Sequence, residues 1–265
     1  MKRSKSDYVI QTVTNALRVL EAFRDKDELG VTELSRRLRL HKNNVFRLLA
    51  TLESKGYVQQ CADSDRYQLG VRCLELGYTY GRSGGLLRHA RHILEGLVRA
   101  TGETAHLGAL RDFEVTHLDG EQPDQLVLTG LRVGRRLPVH CTALGKVLLG
   151  FGDRLLQERF DRLCAADGTL GARTAATITD RDKFFEHLRS VASQGFALDL
   201  EESETGLCCA AAPVFDASGR LVAALSVSGP AFRMSRDTLL DRIVPVLLSS
   251  ANDLSKQLGY QNYPG

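Results

Sequence analysis

Between residues 31 and 54, two short amphipathic segments flank a tight turn, and no other pattern in the chain limits the fold as much. The second segment, from Lys42 to Ser54, sets Val45, Leu48, Leu49 and Leu52 on one side at helical spacing. Asn43, Asn44, Arg47 and Thr51 fall on the other side. Lys55-Gly56 closes it in the manner of a C-cap glycine. In the first segment Thr32 is the expected N-cap, and Leu34 and Leu38 form the apolar face. Upstream, Val13, Ala16, Leu17, Leu20 and Phe23 predict a helix over 8–24. Downstream, residues 57–60 and 66–69 read as two strands around the polar turn Ala62–Asp65, a hairpin. Three helices and a hairpin predict a winged helix-turn-helix domain over 8–70.

The chemistry of the third helix points to double-stranded DNA. Its outward face carries amides and a guanidinium at Asn43, Asn44 and Arg47, groups that pair bidentately with adenine and guanine edges. Thr51 extends that face. Lys42 and the basic run Arg36-Arg37-Arg39 are suited to phosphates. Arg66, in the wing, is in position for backbone or minor groove. The charge balance agrees. Residues 1–92 hold 17 lysines and arginines against 10 aspartates and glutamates, whereas residues 93–265 hold 18 against 22. A three-helix packing module with a solvated polar face is the competing reading.

Residues 71–101 read as helical with a break at Ser83-Gly84-Gly85, which makes 71–85 a linker helix. Leu86, Ala90, Ile93, Leu94, Leu97 and Val98 form an apolar stripe beyond it. From Thr101 the texture changes. Strands are expected at 104–110, 114–118, 125–128, 196–200, 207–215 and 221–228, with helices at 142–151, 153–163, 180–193 and 236–258. Strands and helices without a βαβ beat predict an α+β domain over 86–260, built on an antiparallel sheet.

Other functions find little support. The six cysteines include no CxxC pair, and adjacent Cys208-Cys209 point to opposite faces of a strand, so no metal is expected. There is no P-loop, no GxGxxG after a strand, no HExxH and no nucleophile elbow. No cofactor and no enzymatic activity are expected. A Cys-dependent enzyme using Cys208 or Cys209 with His106, His117 or His140 stays open as an alternative, as does a sensor or interaction protein. No apolar run is long enough to span a membrane, and Met1–Asp7 is basic without an apolar stretch after it. The expected location is the cytoplasm, with no membrane partner.

Several ordered segments resemble the IclR family of bacterial transcriptional regulators. They are Thr14–Phe23, Val31–Leu52, Gly56-Tyr57-Val58 and Tyr67–Gly70 in the first domain. In the second they are Leu137-Pro138-Val139-His140-Cys141-Thr142-Ala143-Leu144-Gly145-Lys146, Gly195–Glu202, Gly206–Val214 and Leu225–Pro230. The resemblance covers about residues 8–258. It implies an N-terminal winged helix and a C-terminal GAF-like effector-binding domain. It also implies a homo-oligomer, a dimer or dimer of dimers, acting on a palindromic operator. One departure is Asn43-Asn44, where the family usually starts its recognition helix with Ser or Thr.

The resemblance further implies that Asp199, Cys209, Ser226 and Ser228 are polar positions of an effector site. Physical reading adds Thr142, Ala143, Leu144 and Gly145. Thr142 is a credible N-cap, and small Ala143 and Gly145 let a ligand approach the backbone. Free N–H groups at a helix N-terminus bind carboxylates without a cationic side chain. A small carboxylate is therefore the expected effector. Arg132, Arg135 and Arg136, just before this segment, read as a solvated strand edge, with attraction of an anion as the alternative, and Lys146 reads as a solvent-side helix residue rather than a ligand contact.

Overall fold

The computed structural model describes residues 8–83, 85–125, 129–167 and 170–261. It divides into two compact units, split between residues 83 and 84.

The first unit contains α1 (Gln11–Glu21), β1 (Leu29–Gly30), α2 (Val31–Leu38), α3 (Lys42–Ser54), β2 (Val58–Gln60), β3 (Arg66–Leu69) and α4 (Val71–Ser83). The expected helix over 8–24 is instead α1 followed by a 3-10 turn at Ala22–Asp25. Leu34 and Leu38 of α2 and Val45, Leu48, Leu49 and Leu52 of α3 meet Val19 and Phe23 in one core. Thr32 is not the N-cap of α2: Gly30 is, with no side-chain cap, because β1 runs straight into the helix. The helix-turn-helix bend is made by Arg39 in the left-handed region (φ 54°), and Ser35 Oγ donates to Leu40 O at 2.6 Å. Gly56 (φ 75°) ends α3 as expected. β1 joins the hairpin, giving a three-stranded sheet in the order β1-β3-β2.

The second unit is a six-stranded antiparallel sheet in the order β6-β5-β4-β9-β8-β7. The strands are β4 (Thr104–Arg111), β5 (Glu114–Glu121), β6 (Arg136–Pro138), β7 (Ala197–Leu200), β8 (Leu207–Phe215) and β9 (Leu221–Pro230). β6 was not expected as a strand; of the one expected at 125–128, residues 126–128 lie outside the described residues, as does Gly84 of the expected break. The helices are α5 (Gly85–Thr101), α6 (Ala143–Gly150), α7 (Arg154–Asp167), α8 (Arg181–Gln194), the single turn α9 (Arg236–Thr238) and α10 (Val244–Gln257). A π turn at Leu239–Ile243 connects α9 to α10 within the helix expected over 236–258. It precedes Pro245, whose missing N–H and bulky ring are incompatible with a regular α-turn at that point.

Strand alternation sorts the side chains of the sheet into two cores. Ala105, Leu107, Cys208, Ala210, Leu225 and Val227 face α5 and α10. Cys209, Ala211 and Ala224 face α6 and α8. Cys208 and Cys209 thus lie on opposite faces. Among the described residues, no helix is long and apolar enough to cross a membrane.

Candidate functional site

Two rungs of the sheet build a cavity beneath α6. In the first rung, Asp199 of β7 lies opposite Cys209 of β8, which lies opposite Ser228 of β9. In the second, two residues along, Ser226 of β9 lies opposite His106 of β4. All five point to the same face because the side-chain period is two. A bulge at Leu107/Gly108 brings His117 of β5 to that face as well. Gly120, opposite His106, makes room for the imidazole: a Cβ there would lie 2.9 Å from its ring.

The cavity is lined by His106, His117, Arg132, Leu137, Thr142, Ala143, Leu144, Asp199, Ser203, Leu207, Cys209, Ser226 and Ser228. Its volume is about 30 Å³, space for about two or three waters. Seven of the eight positions expected from sequence line it. Gly145 does not. It is glycine because a Cβ would lie 2.2 Å from Val139 O, so the residue serves close packing of α6 on the preceding chain rather than ligand access.

Thr142 caps α6 as expected, accepting from Gly145 N–H at 3.2 Å, while its carbonyl takes Lys146 N–H at 3.0 Å. The first two N–H groups of the helix, at Ala143 and Leu144, have no intrahelical acceptor, and both residues border the cavity. Asp199 is more committed than expected. It accepts from Glu202 N–H at 2.7 Å, Ser203 N–H at 3.3 Å and Ser203 Oγ at 2.5 Å, and so organises the turn after β7. Burial raises its carboxyl above the usual range, opposed by Ser203 and Lys146.

Six lining residues were not among the expected positions: Leu137, Leu207, Ser203, Arg132, His106 and His117. Arg132, read as a solvated strand edge, lines the cavity, and its Nη2 pairs with Glu204 Oε2 at 2.7 Å. Its side chain is 18% exposed against 60% for Glu204. The Arg132 N–H donates to His106 Nε2 at 3.2 Å, so a neutral His106 carries its proton on Nδ1. Burial, with His117 and Arg132 nearby, lowers the His106 pKa to about 3. His117 stands edge-on to His106 at 5.1 Å between centroids and is lowered to about 4, chiefly by burial. Its Nδ1 is buried and has no partner among the described residues. The alternating polar positions Thr104 and His106, between Ala105 and Leu107, were the available signal.

Lys146 is also corrected. It is fully buried, and its ammonium donates to Glu202 and to Leu198 O, the latter at 2.9 Å. Burial pushes the Cys209 thiol well above its ordinary range, the opposite of what a nucleophile needs. Among the described residues, no group of three or more His, Cys, Asp or Glu is placed to hold a metal ion.

In the first unit, Lys42, Asn43, Asn44, Arg47 and Thr51 are exposed together on α3, and Arg36 is exposed on α2. Thr51 Oγ1 donates back to Arg47 O at 2.8 Å. Arg66 is engaged: its guanidinium meets Glu33 at 3.1 Å, Glu28 at 3.7 Å and Glu28 O at 2.8 Å.

A winged helix with an exposed polar reading face, together with an α+β unit holding a polar cavity, defines a two-domain DNA-binding regulator. Comparison with known proteins supplies the family. Residues 12–61 match the IclR helix-turn-helix domain, and residues 79–256 match the bacterial transcriptional regulator IclR C-terminal domain. The HTH-type transcriptional regulator KdgR of Escherichia coli is 36% identical, over 96% of this chain and 95% of its own. An IclR transcriptional regulator from Alicyclobacillus acidocaldarius superposes with a TM-score of 0.86 at 28% identity, covering 95% of this chain and all of the other. An IclR homologue from Microbacterium hydrocarbonoxydans, complexed with 4-hydroxybenzoate, has a TM-score of 0.80 at 23% identity, covering 93% of this chain and 98% of its own. The chain belongs to the IclR family of bacterial transcriptional regulators.

Proposed function

We propose that the cavity beneath α6 is the sensor site and that a small organic acid filling it controls operator binding by α3. One observation carries this reading: Arg132, the first two residues of α6 with their N–H groups, and the hydroxyls of Ser226 and Ser228 line one cavity, while the Thr142 hydroxyl is spent on Pro138 O and caps the helix. Those donors suit a carboxylate. The volume favours a short hydroxy or keto acid over a larger one, with a small outward shift of the lining to admit it. An aromatic acid, such as that held by the Microbacterium homologue, needs Arg132 and the turn around Ser203 to yield. Working in the cytoplasm as a dimer or dimer of dimers on a palindromic site, the protein regulates genes that consume such an acid, a catabolic operon. An enzyme working through Cys209 is disfavoured by its raised thiol pKa and by neutral His106.

The test is a thermal-shift screen of short carboxylates against their neutral amides. Ser226→Ala with Ser228→Ala is expected to lower acid affinity roughly ten- to several-hundred-fold and leave ligand-free DNA binding intact. Stabilisation by the amides alone, or normal acid binding by the double variant, rejects the site. On the DNA side, Arg47→Ala is expected to lose about 1–3 kcal/mol and relax one base position per half-site. Lys42→Ala is expected to weaken all sequences alike and lower the salt slope by about one. A selection profile unchanged by Arg47→Ala rejects α3 as the reading helix.

A further inference from the structure

We infer that Phe46 is a specificity residue that reads thymine, its ring packing on C5-methyl groups beside the bases addressed by Asn43 and Arg47. The inference rests on the reading of α3 as the helix in the major groove. The solvent side of α3 is polar at Lys42, Asn43, Asn44, Arg47 and Thr51, and on its flank Phe46 presents a phenyl ring that is 56% exposed. The fold does not explain that ring. Val45, Leu48, Leu49 and Leu52 complete the buried side of the helix, and Phe46 is no part of that core. Three residues after Asn43, it lies one turn along beside it, at the edge of the exposed side of the helix.

The surroundings favour a polyanion with an apolar projection. Phe46 borders a surface groove with Arg36, Gln60, Tyr67, Asp65 and Glu33, the last neutralised by Lys26 and Arg66, on the flank of α3 that faces the sheet of the first unit. Arg36 and Gln60 in the groove and Asn43 and Arg47 on the helix suit phosphates and base edges, and the ring itself cannot pair with either. The thymine methyl is the apolar group on base edges in the major groove, and phenyl is among the side chains that contact it. Neither an amide nor a guanidinium senses that methyl. Phe46 therefore adds a distinction, T over C, that Asn43 and Arg47 do not make.

The experiment uses the full chain and a site selected from random duplexes. The site is resynthesised with deoxyuridine at every thymine, which removes the methyl groups and leaves all base pairing unchanged. Wild type is expected to bind the uridine site about fourfold more weakly for each methyl contacted, or about fifteenfold over two half-sites. Phe46→Ala is expected to bind both sites equally, near the affinity of wild type for the uridine site. Phe46→Leu, which keeps an apolar side chain, is expected to retain part of the discrimination, and circular dichroism verifies that both variants fold. Wild type indifferent to the methyls, or Phe46→Ala as sensitive as wild type, overturns the inference while leaving α3 as the reading helix. If Phe46→Ala shifts the sedimentation of the free protein and leaves methyl sensitivity intact, the ring is a contact between copies and the inference falls. A chain that selects no site overturns the helix reading and this inference together.

Discussion

Lys146→Ala is expected to cost about 3–5 kcal/mol, the penalty for removing one partner of a buried ion pair. Lys146 is 0% exposed on α6, and its ammonium is held by Glu202 and the Leu198 carbonyl. Truncation strands the Glu202 carboxylate in the interior, where its Oε2 already lacks a partner among the described residues. Asp199 adds repulsion from nearby: together with burial it raises the Glu202 pKa, and Lys146 opposes both. Loss of Lys146 therefore pushes Glu202 toward its protonated form. The companion test is Lys146→Met with Glu202→Leu, which removes both charges and keeps volume. That pair is expected to recover most of the loss, because the desolvation cost disappears with the attraction. Chemical denaturation of the full chain, followed on the transition of the second unit, measures both. A single substitution costing under about 1 kcal/mol means that water reaches the pair.

A second large effect is expected from acid. Burial is the first cause lowering His106 to about 3 and His117 and His187 to about 4. In the unfolded chain each takes a proton near pH 6.5. Between those values the unfolded state binds more protons, so stability is complete above about pH 6.5 and falls as the pH drops toward 4. Asp199 and Glu202 act with the opposite sign. Their raised values mean that the fold takes up protons before the unfolded chain does, which favours the fold at low pH. The carboxyls therefore offset part of the loss from the three histidines, each of which is lowered to about 3 or 4. His106 and His117 interact and do not add fully, so a loss of about 3 kcal/mol or more between pH 7 and pH 4.5 is the expected result. His106→Gln with His117→Gln is expected to flatten the profile. Denaturation midpoints that stay constant from pH 7 to pH 5 in wild type contradict the buried neutral pair.

How far the fold could be read from sequence depended on how local each cause was. α3 was legible to the residue because its period, its polar face and Gly56 lie within one stretch. The strands carrying Cys209, Ser226 and Ser228 were legible because a continuous apolar run with small residues suits a strand buried on both faces. β1 was not, since two residues carry no alternation and its partner Tyr67 lies far along the chain. Lys146 was misread because every residue of α6 is buried, which erases the amphipathic signal, and its partner is 56 residues away. Arg132 was misread for the same kind of reason: Glu204, 72 residues on, holds it at the cavity.

The Arg132–Glu204 pair has a consequence for any acid that enters. A carboxylate tethered beside its receptor competes with free acids at an effective concentration on the order of millimolar. Occupancy by a free acid then depends on the acid's own contacts and on how firmly the tethered group holds the guanidinium. Glu204 is exposed and belongs to neither core of the second unit. On the proposed reading of the cavity as a sensor, its half-saturation point can therefore drift, through one surface codon, across a wide range of acid concentrations while the pocket and the fold stay as they are.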